Sequence, residues 1–220
     1  MASNTWTSKI YNGLTIIYHC AILNFLFLTG CILGLGIFGI GPSLYASFNL
    51  AKRYHQHTLV QPFRSFIKIY CSQFLKANMM LLPIIIVLFF IRWNTVLFYD
   101  YLTIPILLIM SFIQLVLLLL VVYAFTLTQF YELSPMIALK KGFQFTFFNS
   151  LGSILTILWT AICYYGSLLF PGVILFFSVG LWLTVTMGIH LRLFEINEQQ
   201  LEEEEKRNGY EVVKSTKYQY

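Results

Sequence analysis

Five long apolar stretches, nearly free of charge, constrain this chain more than any other feature. They lie at about residues 14–40, 77–92, 102–130, 150–169 and 171–192. A hydrocarbon core of ~30 Å needs ~20 apolar residues to be crossed as a helix. Inside lipid every backbone N–H and C=O must be satisfied within the protein, so a crossing segment is a helix or part of a closed barrel. Runs such as LLPIIIVLFFI and IPILLIMSFIQLVLLLLVVYAF are continuous and do not alternate with period two, which disfavours a barrel. The reading is an all-α, polytopic membrane protein with five transmembrane helices.

Charged residues make up 10% of the chain, far below the roughly 25% of a soluble domain. Residues 1–195 are expected to form a single membrane domain, followed by a charged cytoplasmic tail at 196–220. The net charge of +5 is no nucleic-acid signal, because the basic residues sit in the connections between spans. The first stretch exceeds a signal core of about 7–15 residues and lacks a small-residue cleavage site, so it is read as a retained span. Cys20, Cys31, Cys71 and Cys163 form no C-x-x-C pair and imply no disulfide framework.

Sidedness follows from Lys and Arg. Lys52, Arg53, Arg64, Lys68 and Lys76 follow span one, Lys140 and Lys141 follow span three, and Arg192, Lys206, Arg207, Lys214 and Lys217 follow span five. The opposite connections carry only Lys9 and Arg92. The positive-inside rule then predicts an outside N-terminus and a cytoplasmic C-terminus.

The two basic connections read as amphipathic inner-leaflet helices. After Pro62, the residues Phe63, Phe66, Ile67, Tyr70 and Phe74 share one helical face, and Arg64, Lys68, Ser72 and Lys76 another. Ser134-Pro135 is a helix-start pair. Beyond it Met136, Leu139, Phe143 and Phe147 align, with Lys140, Lys141 and Gln144 beside them and Asn149-Ser150 marking the stop. Arg64, Lys68, Lys76, Lys140 and Lys141 form the basic stripe expected on an anionic leaflet. At an offset of 73, Pro62, Lys68 and Phe74 match Pro135, Lys141 and Phe147, which suggests a short helix plus hairpin used twice.

The first span ends in GCILGLGIFGIGPSLYA. Gly30, Gly34, Gly36 and Gly39 are expected to let another helix approach closely, with Gly30 and Gly34 forming a G-x-x-x-G. Gly34, Gly36 and Gly39 also spell G-x-G-x-x-G, but no strand precedes them and no βαβ unit surrounds them, so a dinucleotide site is rejected. Gly41-Pro42 is expected to end or bend the span. In the tail, Glu202 to Arg207 reads as a helical extension with i,i+4 charge pairs, ended by Gly209.

Asn24, the run GLGIFGIGPSLYASFNLAKRY, Phe63-x-x-Phe66, FLKANMMLLP and ALKKGFQFTFFNSLGSI together resemble the YesL-like integral membrane proteins of bacteria. The resemblance covers most of residues 14–195. It implies an apolar first helix ending in a Gly/Pro turn, a basic amphipathic helix and a later hairpin. It brings no catalytic residues, and it implies an association with carbohydrate uptake in a bacterial cell membrane.

No Asp or Glu lies inside a span; Asp100 and Glu132 sit at edges. Intramembrane carboxylates mark proton and cation pathways, so a coupled pump is disfavoured. No phosphate-binding loop is present. His55-x-His57 lacks the further ligands of a metal site, and no buried acid completes a Ser/His/Asp set. The polar span residues His19, Asn24, Gln114, Gln129, Thr160, Ser167, Thr184, Thr186 and His190 read first as interhelical hydrogen-bonding groups. Asn24, Gln114, Tyr164 and Tyr165 are the candidates for contact with a polar ligand.

The expected function is a non-enzymatic accessory or assembly subunit, with no cofactor and no metal. The expected partners are the lipid bilayer and other membrane proteins, among them carbohydrate importer subunits, and no nucleic acid. The alternative is a small transporter or channel acting by itself or as an oligomer.

Overall fold

Apolar sequence becomes helix throughout the computed structural model, which describes residues 3–170, 172 and 177–207. Among the described residues there is no strand. The helices are α1 (Ser3–Leu33), α2 (Ile37–His55), α3 (Pro62–Ser72), α4 (Phe74–Leu97), α5 (Ile104–Phe130), α6 (Pro135–Phe148), α7 (Ser150–Leu169) and α8 (Val179–Arg207). Five are long and apolar enough to cross a bilayer: the Gly13–Leu33 part of α1, α4, α5, α7 and the Val179–Glu204 part of α8.

The expected breaks hold at Asn149, which alone separates α6 from α7, and at Pro62 and Pro135, which occupy the first helical positions of α3 and α6. There φ is already set and no N–H is lost. The Asn149 side chain accepts from the Gly152 N–H at 3.1 Å, capping the start of α7. Glu202 to Arg207 continue α8 as helix; Gly209 and the rest of the tail lie outside the described residues.

One break is elsewhere than expected. Gly41 and Pro42 lie inside α2, and the chain reverses eight residues earlier, after Leu33. Leu35 has φ 56° and Gly36 φ 78°, a left-handed pair that turns the backbone. The turn's N–H groups of Gly34, Leu35, Gly36 and Gly39 are paired with the carbonyls of Gly30, Ile32, Cys31 and Gly36, at 2.8–3.1 Å. With its amides satisfied locally, the turn can expose Leu33, Leu35, Ile37 and Phe38 to an apolar medium. Pro42, the sixth residue of α2, has no N–H to give the Phe38 carbonyl, so one i→i−4 bond is missing there without ending the helix. α2 then runs back along α1, Ser43 meeting Gly30 and Tyr54 meeting His19. The stretch 14–40 is therefore no single span, and Lys52 and Arg53 return toward the end of α1 that carries Lys9.

The described chain packs as two compact units. The first combines residues up to Gln73 with Leu158–Gly188, and the second combines Phe74–Ile157 with residues from 189 onward. In the first unit, α1, α2 and α3 pack on one another, and the buried residues of α2 are mostly small: Gly39, Gly41, Ser43, Ala46, Ser47 and Ala51. In the second, α6 lies against α5 through Ala138, Gly142 and Thr146, spaced four apart. A Cβ on Gly142 would meet the Ala124 nitrogen at 3.0 Å and the Leu120 carbonyl oxygen at 3.1 Å, so the two backbones nearly touch. The aligned Met136, Phe143 and Phe147 point away and are exposed, as suits lipid contact. The distal halves of α4 and α5 are also bare, with Phe89, Trp93, Leu108 and Phe112 each more than half exposed.

Candidate functional site

Two polar centres are buried in the described chain, one in each unit. In the first unit, Asn24 of α1 carries the arrangement. Its side-chain oxygen accepts from the backbone N–H of Val179 at 3.0 Å and of Gly180 at 3.2 Å, the first two residues of α8. Backbone N–H groups in an apolar segment must find their acceptor within the protein, and Asn24 supplies one here. Gly180 permits the approach, because a Cβ there would collide with the Cys20 carbonyl oxygen. One turn further on, Cys20 Sγ lies 3.8 Å from the Thr184 hydroxyl. The Thr184 carbonyl accepts from Nε2 of His55 at 2.8 Å. A carbonyl only accepts, so Nε2 of His55 carries its proton.

Beside this contact, His19 stacks on Tyr54 with ring centroids 3.9 Å apart. His19 is 4% exposed, and its Nε2 has no hydrogen-bond partner among the described residues. Burial pushes the Tyr54 phenol above its ordinary value, and the nearby Cys20 adds to the rise. A cleft of about 350 Å³ opens here, lined by Tyr18, His19, Tyr54, His57, Leu59 and Pro62.

In the second unit His190 of α8 is fully buried between α5 and α7. Its Nδ1 lies 2.7 Å from the Thr126 hydroxyl and its Nε2 2.9 Å from the Thr156 hydroxyl. Each threonine can also donate to its own helix, to Val122 at 2.9 Å and to Gly152 at 2.8 Å. A neutral imidazole has one N–H, so one threonine accepts from the ring while the other donates to it. Tyr123 stacks on the ring at 4.4 Å, and Ser153 reaches both the Tyr123 hydroxyl at 3.4 Å and the Thr146 carbonyl at 2.8 Å. A Cβ on Gly152 would meet the Tyr123 hydroxyl at 2.8 Å, so this glycine makes room for the stack.

The residues singled out in the sequence scatter across these features. Gly30, Gly34 and Gly39 are contact glycines, but the chain's own α2 and α3 fill the face they make. A Cβ on Gly30 would strike Ser43 and come within 3.0 Å of Phe66, and one on Gly34 would strike Gly39. Tyr70 of α3 donates to the Gly30 carbonyl at 3.0 Å, its phenol raised by burial and by Cys31 and Cys71. Gly36 has nothing within reach of a Cβ, so its role is the turn and not packing. Arg64 and Lys68 are exposed on α3, while Lys76 belongs to α4, where Glu132 is its charged neighbour. Lys140 is exposed on α6, and Lys141 lines a cleft between α6 and α8.

Asn24 caps α8, Gln114 is half-buried on α5, and Tyr164 and Tyr165 are 61% and 64% exposed with their rings edge to face. Of the other polar span residues, Thr160 accepts from Trp182 at 2.9 Å and Ser167 pairs with Ser178, whereas the buried Thr186 hydroxyl has no hydrogen-bond partner among the described residues. Thr126, Ser153 and Thr156 escape a sequence reading because single hydroxyls in apolar runs carry no signal. The four-residue spacing of Ala138, Gly142 and Thr146 does carry one. Among the described residues no buried side chain is Asp, Glu, Lys or Arg, and no three His, Cys, Asp or Glu gather as a metal site.

These features define a helical membrane protein whose spans are tied together by neutral polar groups. Residues 20–95, about a third of the chain, match the sequence profile of the family described as "Protein of unknown function, DUF624". The matched stretch runs from Cys20 through the α1–α2 hairpin and α3 into α4, and so includes Asn24, the contact glycines and His55. No curated protein and no solved structure matches the chain.

Proposed function

We propose that the chain is a non-enzymatic integral membrane subunit that assembles with other membrane proteins, in the manner of the YesL-like proteins it resembles. The observation that carries this reading is the fate of the buried polar groups. Asn24, Thr184 and His55 in one unit, and His190, Thr126 and Thr156 in the other, bond helix to helix. Groups spent on packing favour a scaffold over a conduit. The bare distal halves of α4 and α5 offer an apolar surface for neighbours in the membrane.

The partner class comes from the resemblance: a carbohydrate importer in a bacterial inner membrane. The α6 connection and the end of α8 are placed on the cytoplasmic side, where Lys140, Lys141 and Arg192 collect. The sequence count sets the N-terminus outside. Lys52 and Arg53 weigh against that placement, since the hairpin returns them toward the start of α1, where the positive-inside rule favours the cytoplasm.

The test is purification in mild detergent with mass spectrometry of what comes along, beside uptake of labelled sugars by liposomes holding the protein alone. Membrane transport proteins in the eluate and no flux are expected. Saturable, substrate-specific uptake by the isolated protein would replace this reading with that of a transporter.

A further inference from the structure

The cleft between α6 and α8 has a lining unlike the rest of the chain. It measures about 620 Å³, within the range of small-molecule sites. One set of walls is polar: Lys141, Gln144, Asn149, Asn197 and Gln200. The other is apolar, with Phe148, Leu151 and Ile196 exposed at 88%, 64% and 51%. A second, smaller cleft shares Lys141, Phe145 and Asn197 with it and runs toward Leu127 and Leu201. Together they form a groove with Lys141 and Asn197 at its centre.

The level of this groove in the membrane follows from the chain. α6 joins the end of one apolar helix, at Phe130, to the start of another, at Ser150. On α8 the groove covers Leu193 to Leu201, where the sequence passes from apolar LRLF to polar EINEQQ. Polar and apolar walls thus meet at the boundary between hydrocarbon and headgroups, where a phospholipid changes from chain to phosphate.

Charge selects the lipid. Among the described residues that line the groove, Lys141 is the only Lys, Arg, Asp or Glu; Lys140 precedes it and Arg192 adjoins Leu193. Glu195 and Glu198 lie on α8 but do not line the groove. The Asn149 oxygen is engaged by the Gly152 N–H, which leaves its NH₂ as the donor. An ammonium with several amide donors suits a phosphate and the oxygens of a glycerol headgroup.

We propose that the α6–α8 groove binds one anionic glycerophospholipid, its phosphate held by Lys141 with Gln144, Asn149 and Asn197, and an acyl chain laid on Phe148, Leu151 and Ile196. The site is independent of the accessory role: a subunit and a transporter would carry it alike.

The full-length protein in mixed micelles of dioleoyl phosphatidylglycerol and dioleoyl phosphatidylcholine, read by native mass spectrometry, tests this. One retained phosphatidylglycerol is expected, preferred about fivefold or more over phosphatidylcholine. Lys141→Gln should remove most of that preference, while Lys68→Gln, the same charge lost from exposed α3, should leave it. Asn197→Leu is read in the same way should Lys141→Gln fail to fold. Equal retention of the two lipids, or equal losses from Lys141→Gln and Lys68→Gln, overturns the site. Displacement by soluble glycerol 3-phosphate overturns the lipid assignment in favour of a water-soluble phosphate.

Discussion

His55 donates from Nε2 to the main-chain carbonyl of Thr184, 2.8 Å away, over a gap that the absent side chain of Gly188 leaves open. A Cβ on Gly188 would stand 2.9 Å from the imidazole. The contact ties the end of α2 to α8, between residues 129 positions apart.

Gly188→Val is predicted to displace this ring and cost about 1–3 kcal/mol, the range for a buried hydrogen bond lost with its acceptor left unpaired. Gly166→Val is the control, since nothing lies within reach of a Cβ there. Thermal unfolding in detergent compares them. Equal melting temperatures would remove the His55–Thr184 contact from the account of stability.

The α1–α2 turn gives a second prediction. Gly36→Ala should cost about 1–3 kcal/mol through backbone strain alone, and Leu35→Gly should cost little, because Leu35 already sits at φ 56°. Gly34→Leu should be the most damaging, since α2 and Tyr70 stand where its side chain would go. Expression and melting of the three, with Leu33→Ile as reference, check the order. A harmless Gly34→Leu contradicts the hairpin.

Coupling around His190 is the third. Thr126→Val and Thr156→Val each remove one partner, at about 0.6–2 kcal/mol per interhelical bond. Because both bonds run through one imidazole, which gives its N–H to one threonine and accepts from the other, their effects should be non-additive in a double-mutant cycle. His190→Phe keeps a ring beside Tyr123 and should approach the double variant. Additive losses would mean two independent bonds.

Sidedness of the hairpin is the fourth. Thr15 and Tyr18 share a cleft with His57 and Leu59, so the start of α1 and the α2–α3 connection lie at one level. In a background lacking the native cysteines, Tyr11→Cys and Thr58→Cys should react with an impermeant thiol reagent from the same side of the membrane. Labelling from opposite sides would show α1 and α2 to be one continuous crossing.

Much of this protein is legible in its residues alone. Continuous apolar runs have no stable form in lipid except helix, so the helical class and the apolar helices follow from composition. Local chemistry likewise determines the starts at Pro62 and Pro135 and the stop at Asn149. What composition could not decide is where an apolar run turns back. Residues 14–40 read as one span because Gly34–Gly36 are as apolar as their neighbours. Only the left-handed pair at Leu35 and Gly36, and the packing of Ser43 on Gly30, reveal a hairpin. The partners of Asn24 and His190 were equally hidden, since Val179, Thr126 and Thr156 are distant in sequence and lie together only because helices pack side by side. A hydropathy pattern measures each residue against its medium; a hydrogen bond between helices depends on which faces meet, and tertiary packing alone determines that.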